Sequence, residues 1–78
     1  MKLLIRNLSR STTEHDLRAL FSPFGTLAEC TLVLDQKTGK SKGFAFIEMP
    51  NSSQAEKAIK ALNMSVLDKF TIRVKKSV

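Results

Sequence analysis

The sequence predicts an α+β fold in which one four-stranded antiparallel sheet is covered on a single face by two helices. Segments with the alternation of β-strands and segments with apolar residues at helical spacing follow one another in the order β-α-β-β-α-β. The chain has 78 residues, of which 42% are hydrophobic and 26% charged. This balance is typical of one small globular domain, which we assign to residues 1–78.

The first two elements are a strand and an amphipathic helix. Residues 2–8 are predicted to form the first strand. Thr13 and Asp16 then form a capping pattern at a helix start, and Pro23 and Gly25 mark the exit from this helix. The apolar stripe of the helix is formed by Leu17, Leu20, Phe21 and Phe24.

A hairpin with a basic loop is predicted next. Residues 27–34 form its first strand, residues 35–41 its loop and residues 43–49 its second strand. The alternation of apolar residues is irregular near Ala28, where we expect a β-bulge that changes the side on which Leu27 lies.

The second helix and the last strand complete the fold. Ser53 and Glu56 form a capping box, which predicts the start of the second helix. Its apolar stripe contains Ala55, Ala58, Ile59 and Leu62. Residues 63–69 are predicted to form an irregular connection and residues 70–75 the fourth strand. This order of elements is that of a ferredoxin-like sandwich, which leaves one sheet face uncovered.

The alternation of side chains along each strand separates a core face from an open face. On the third strand, Phe44 and Phe46 share the open face with Lys42 and Glu48. The open face of the other strands is predicted to carry Lys2, Leu4, Arg6, Glu29, Thr31, Val33, Thr71, Arg73 and Lys75. The core face is predicted to carry Leu3, Ile5, Cys30, Leu32, Gly43, Ala45, Ile47, Met49, Ile72 and Val74.

An open aromatic pair among cations is typical of a surface that binds nucleic acid. Leaving each ring in water forgoes about 1.5–3 kcal/mol of burial, whereas stacking on a nucleobase contributes about 1–3 kcal/mol. The net charge is +6, and nine basic against four acidic residues lie outside the two helical segments, residues 10–26 and 50–62. The charge therefore favours a polyanionic partner on the open face.

Several other classes of protein are excluded by the scarcity of reactive side chains. The chain has one cysteine, Cys30, and one histidine, His15, so we expect neither a disulfide nor a structural zinc site. We expect no enzyme, because no residue pattern pairs a nucleophile with a base, and we expect no cofactor. The longest apolar run is residues 44–47, so we expect a soluble, cytoplasmic protein without a membrane partner.

Two segments resemble the signatures of the RNA recognition motif family. Residues 42–49, KGFAFIEM, resemble its octamer, which alternates aromatic residues after a basic residue and a glycine. Residues 3–8, LLIRNL, look like its hexamer on the first strand. The resemblance spans the whole chain and implies a stand-alone, monomeric domain that binds single-stranded RNA, or single-stranded DNA, on its sheet.

The resemblance also implies roles for individual residues. Phe46 would stack on a base, Phe44 would insert between sugar rings and Lys42 would contact phosphate. The cations expected to assist them are Lys2, Arg6, Lys37, Lys40, Arg73 and Lys75, with Thr31 and Val33 on the same face. The chain departs from the family pattern at Leu4, where a second stacking aromatic is usual, and at Met49.

These departures predict binding of modest affinity and low sequence specificity. Leu4 offers only apolar contact, which weakens one stacking interaction of about 1–3 kcal/mol. The alternative is a module for protein interaction or self-association that uses the same aromatic face.

Overall fold

A computed structural model describes residues 1–77, and Val78, the last residue of the predicted domain, lies outside them. The helices are α1 (Glu14–Phe21) and α2 (Ser52–Leu62), and a 3-10 turn (Ser22–Phe24) follows α1. The strands are β1 (Lys2–Arg6), β2 (Glu29–Leu34), β3 (Ser41–Glu48), β4 (Val66–Leu67), β5 (Phe70–Thr71) and β6 (Arg73–Ser77). Four strands form an antiparallel sheet in the order β2-β3-β1-β6, and β4 pairs with β5 separately. The predicted α+β, ferredoxin-like class is confirmed.

The core lies between one face of the sheet and the two helices. Its largest fully buried member is Phe21 of α1, and Ala55 and Ala58 bring α2 close to the sheet. The sheet contributes Leu3, Ile5, Cys30, Ala45, Ile47 and Val74, and Met49 and Ile72 are buried beside it. The predicted division into a core face and an open face is confirmed at these positions.

The start of α1 is a capping box, as predicted. The Thr13 hydroxyl accepts a hydrogen bond from the Asp16 amide at 3.1 Å, and the Asp16 carboxylate accepts one from the Thr13 amide at 3.0 Å. Together these bonds satisfy two backbone N–H groups that the helix itself leaves unpaired.

The predicted cap of α2 is wrong, because Asn51 and not Ser53 occupies the capping position. Asn51 has an extended backbone, and its side-chain oxygen accepts a hydrogen bond from the Gln54 amide at 3.0 Å. Ser52 and Ser53 lie inside the first turn. Asparagine caps helices as well as serine does, so the earlier of the two candidates starts the helix.

A bulge interrupts the pairing of β2 with β3. Leu32 lies opposite Ala45, but Leu34 lies opposite Ser41, so β3 contains two residues more than β2 over this stretch. Gly43 lies inside the bulge with φ +88°, a backbone conformation in the region that favours glycine.

The irregularity predicted near Ala28 agrees with the structure, because Ala28 and Glu29 both lie against Glu48, two residues opposite one. The Ala28 amide donates to the Glu48 carbonyl oxygen at 2.7 Å, and regular pairing begins with Glu29 opposite Glu48. Gly43 is the residue that supplies the positive φ, and its carbonyl oxygen accepts from the Leu8 amide at 2.9 Å. The bulge at Gly43, which was not predicted from the sequence, lies where β3 passes the segment after β1.

The segment predicted as an irregular connection and a fourth strand forms a small hairpin and a shorter sheet strand. Val66 pairs with Thr71 and Leu67 with Phe70 in the hairpin, whereas the fourth strand of the main sheet is β6. The predicted strand over residues 70–75 is thus displaced by three residues at its start. A buried threonine, Thr12, holds the hairpin by donating from its hydroxyl to the Asp68 carboxylate at 2.7 Å.

Replacing Lys69 with glycine should stabilise the protein. Asp68 and Lys69 form the two-residue turn of the hairpin with φ values of 51° and 70°, and turns of this type favour glycine at the second position. The strain of a Cβ atom in the left-handed conformation should cost more free energy than the extra conformational entropy that glycine loses on folding. The substitution should therefore raise the free energy of unfolding by about 0.5–1 kcal/mol. Urea denaturation measures the change. Lys69→Ala, which removes the charge but keeps Cβ, is the control and should give no gain.

Candidate nucleic-acid interface

The open face of the sheet is a grid of side chains in register across four strands. Thr31 of β2 lies opposite Phe46 of β3, Phe46 opposite Leu4 of β1, and Leu4 opposite Lys75 of β6. Neighbouring strands lie about 4.8 Å apart, so this row is roughly 14 Å long. The row places an aromatic ring near its centre and a cation at one end.

The two phenylalanines of β3 pack against each other and remain accessible. Phe44 and Phe46 are half-buried, with ring centroids 6.1 Å apart and an angle of 87° between the ring planes. This edge-to-face geometry is favourable for aromatic pairs. The Lys2 ammonium nitrogen lies 5.2 Å from the Phe46 centroid, within the range of a cation–π contact. The Lys2 ammonium group therefore lies over the ring on which a planar ligand would stack.

One end of the open face is basic. Arg6 at the end of β1 lies directly opposite Arg73 of β6, and Lys75 follows on the same face of that strand. All three side chains are exposed. Together with Asn7 they line a groove at the β6 edge of the sheet.

The opposite end carries two carboxylates. Glu29 and Glu48 lie opposite each other on β2 and β3. The amino-terminal ammonium lies 3.4 Å from the Glu48 Oε1 atom, and Lys2 of β1 lies opposite Glu48, so two cations offset the charge at this end. The open face is thus polarised along the strands, from carboxylates at one end to arginines at the other.

The loop between β2 and β3 presents its lysines on an ordered turn. The Asp35 carboxylate accepts from the Thr38 amide at 3.0 Å and from the Lys37 amide at 2.8 Å. These bonds lower the pKa of Asp35 below its ordinary value, the bond from Thr38 most. The order they confer is present above the ordinary carboxyl pKa and is lost as the pH falls through the lowered one. Lys37 and Lys40 are both exposed on this loop.

The predicted site residues fall into one surface and one adjoining loop. The open face carries Lys2, Leu4, Arg6, Thr31, Phe44, Phe46, Arg73 and Lys75, and Val33 is half-buried in β2 where the pairing with β3 is irregular. Lys42 is exposed near the start of β3, and Lys37 and Lys40 lie on the loop before that strand. The roles of these residues as ligand contacts stay predictions.

Two residues that sequence reasoning did not assign also shape this surface. Arg10 packs its guanidinium over Gly43 and donates to the Leu8 carbonyl oxygen at 3.4 Å. Asn7 has φ +60°, which ends β1, and its side-chain amide donates to the Thr71 carbonyl oxygen at 2.7 Å. An asparagine directly after a strand is the usual non-glycine choice for this backbone region and was the available signal.

The single histidine and the single cysteine lie away from the open face. His15 is exposed on α1, and Cys30 is buried, where desolvation raises the pKa of its thiol against the opposing effect of Arg18. No group of three potential metal-ligating His, Cys, Asp or Glu side chains occurs among these residues. Neither helix in this part of the chain has the length and apolar character needed to cross a membrane.

Comparison with known proteins identifies the class. The model of the RNA recognition motif family matches residues 3–73. The chain belongs to the RNA recognition motif family.

Individual relatives agree with this assignment. Glycine-rich RNA-binding protein 1 of Mycosarcoma maydis is 40% identical over 73 residues, which are 94% of this chain and 42% of that protein. The crystal structure of RNA binding protein PG1 superposes with a TM-score of 0.97 at 29% identity, covering 100% of this chain and 94% of that one. The structure of the Rna15 RRM with bound RNA (GU) superposes with a TM-score of 0.87 at 26% identity, covering 97% and 81%.

The chain is short beside the curated relatives that it matches. It spans from 7% to 42% of the lengths of three of them.

Proposed function

We propose that this chain binds single-stranded RNA across the open face of its sheet, with Phe46 and Phe44 in contact with bases and sugars and the surrounding cations in contact with phosphates. The observation that carries the proposal is the aromatic pair on the open face, half-buried and bordered by Lys2. Every nucleobase offers a π-face, so such a pair binds single strands with little dependence on sequence. The proposal includes no catalytic step.

The family and its members support this ligand. The family is described as the RNA recognition motif, and one relative is named as an RNA-binding protein. The Rna15 domain has been solved with RNA bound. We extend RNA binding from these proteins to this chain because its open face combines two aromatic rings with several cations.

The affinity is proposed to be modest. Leu4 lies between Phe46 and Lys75 in the central row and is half-buried. It offers no ring to a base that reaches β1, and the carboxylates of Glu29 and Glu48 repel phosphate at one end of the face. The basic end should therefore hold most of the backbone contacts.

Binding should depend strongly on salt. We expect about three phosphates to be neutralised, so the logarithm of the association constant should fall against the logarithm of the salt concentration with a slope of about −2. Fluorescence anisotropy of a labelled single-stranded RNA measures the slope. Arg73→Gln should make it shallower by about 0.7, whereas Lys57→Gln on the exposed side of α2 should not change it.

RNA titration, together with a measurement of self-association, tests the alternative of a protein-interaction or self-association module. RNA binding that is absent at low salt, together with concentration-dependent self-association that Phe46→Ala abolishes, would favour that alternative.

Replacing Leu4 with phenylalanine should tighten RNA binding. The new ring would lie next to Phe46 across the β1–β3 pair and supply a second stacking position, for an expected gain of about three- to tenfold. Anisotropy titrations of both proteins with one RNA measure it. Val66→Phe adds a ring at a 69% exposed position of the β4–β5 hairpin and is the matched control. Equal gains from the two variants would contradict the role of Leu4.

A further inference from the structure

The groove at the β6 edge is unusual in its charge. It has a volume of about 510 Å³ and is lined by Arg6, Asn7, Arg73 and Lys75. Within residues 1–77, no acidic side chain lines it. Among the residues that the structure describes, one ion pair is formed, between the Met1 amino terminus and Glu48 at the other end of the sheet. Arg6, Arg73 and Lys75 therefore face the groove without a carboxylate partner among these residues.

The position of the two arginines is unfavourable unless an anion lies between them. Arg6 and Arg73 are direct partners in the pairing of β1 with β6. Like charges directly opposite each other on one face destabilise a sheet, and no neighbouring carboxylate within residues 1–77 offsets this pair. The planar guanidinium binds phosphate through two parallel hydrogen bonds, so a phosphate group between the arginines would convert a repulsive contact into an attractive one.

Contacts within the chain hold the backbone at the rim of the groove. Asn7 is held at its rim by the left-handed backbone conformation and by the hydrogen bond from its side-chain amide to the Thr71 carbonyl oxygen. This bond ties the end of β1 to β5, next to the start of β6. A ligand therefore does not have to order the backbone at this rim, which reduces one part of the entropy cost of binding.

The groove lies at the margin of the aromatic surface. β6 is the edge strand and is two strands away from β3, about 10 Å from Phe46 at the usual strand spacing. A nucleic acid strand that crosses the sheet therefore meets the groove where the sheet ends. The groove therefore borders the surface on which the bases of such a strand would lie.

We propose that this groove binds the terminal phosphate monoester of a single-stranded nucleic acid whose bases lie on the aromatic surface. An internal phosphodiester carries a single negative charge, whereas a phosphate monoester carries about −1.5 to −2 at pH 7. Three unpaired cations match the monoester better. This inference rests on the proposed RNA binding and adds that the chain distinguishes phosphorylated from unphosphorylated strand ends.

The test compares three otherwise identical short RNAs that carry a 5′-phosphate, a 3′-phosphate or two terminal hydroxyls. Competition against one labelled RNA at low salt measures their affinities. We expect one phosphorylated RNA to bind about five- to tenfold more tightly than the RNA with two hydroxyls. The arm that shows the preference identifies which end enters the groove.

Variants assign the preference to the groove. Arg6→Gln combined with Arg73→Gln should abolish the preference even though it also weakens binding of all three RNAs. Lys57→Gln combined with Lys60→Gln removes two exposed charges from α2 and should keep the preference. A preference that survives the two arginine substitutions would overturn the assignment to this groove.

The remaining outcomes separate this inference from the proposed function. If the wild-type protein binds all three RNAs equally, the inference fails and RNA binding by the open face stands. If it binds none of them, the proposed function fails and the inference fails with it. Circular dichroism and thermal unfolding of each variant establish that the affinities compare folded proteins.

Discussion

Alanine in place of Phe46 is expected to weaken binding of a short single-stranded RNA by about ten- to a hundredfold. The ring lies near the centre of the open face, between Thr31 and Leu4 in the row across the sheet. Its removal abolishes one stacking interaction of about 1–3 kcal/mol, and every 1.4 kcal/mol corresponds to a factor of ten in affinity. Anisotropy titrations of the wild-type and variant proteins under identical salt conditions measure the loss.

Phe44→Ala should weaken RNA binding less than Phe46→Ala does. The variant with both substitutions should bind RNA only through the salt-sensitive attraction of the basic surface. The two rings are in edge-to-face contact, so we expect the double variant to deviate from additivity. Because both rings are half-buried on the open face, the fold should be retained, which circular dichroism checks.

Phe70 provides a matched aromatic control. It is 42% exposed but belongs to the β4–β5 hairpin and not to the four-stranded sheet. Phe70→Ala should leave RNA affinity within about twofold of wild type, since surface positions outside a binding site contribute little. Weaker binding by Phe70→Ala combined with unchanged binding by Phe46→Ala would place the RNA elsewhere on the molecule.

Alanine in place of Gly43 should destabilise the fold by about 1–2 kcal/mol. Gly43 has φ +88° inside the β3 bulge, a conformation that residues with a Cβ atom adopt only at such a cost. An added Cβ would also collide with the Arg10 guanidinium and lie 3.3 Å from the Leu8 carbonyl oxygen. Chemical denaturation measures the loss, and Gly43→Val should lose more because valine is branched at Cβ.

A second substitution separates the two causes. The Arg10 guanidinium is the end of a flexible side chain and can move away, whereas the backbone conformation at Gly43 cannot change without loss of the bulge. Arg10→Ala should therefore recover only a small part of the stability lost in Gly43→Ala. Full recovery would show that the collision, and not the positive φ, accounts for the requirement for glycine. Gly39→Ala, at a loop position with φ +74° and open space around it, tests the backbone effect alone.

The order of elements and the two faces of the sheet were predictable because both follow from periodicity within single segments. Alternation along β3 places Ala45 and Ile47 in the core and Phe44 and Phe46 on the open face, whatever the other strands do. The spacing of apolar residues likewise indicates α1, whose Thr13 and Asp16 form their capping box locally.

The errors arose where several local solutions were comparable. Asn51 and Ser53 are both good caps, so the preference of a residue type for the capping position does not distinguish them. The bulge at Gly43 depends on the pairing of β3 with β2 and on the approach of Leu8 and Arg10, which are distant in sequence.

The sequence by itself determined the fold class, the aromatic pair of the open face and the excess of positive charge, because alternation and composition are properties of local segments. Only the tertiary structure decided which charges meet. The pairing of β1 with β6 places Arg6 opposite Arg73, and the pairing of β2 with β3 places Glu29 opposite Glu48. Strand order and register are set by contacts between segments far apart in the chain, so a basic groove at one end of the sheet and carboxylates at the other emerge only when the strands are assembled.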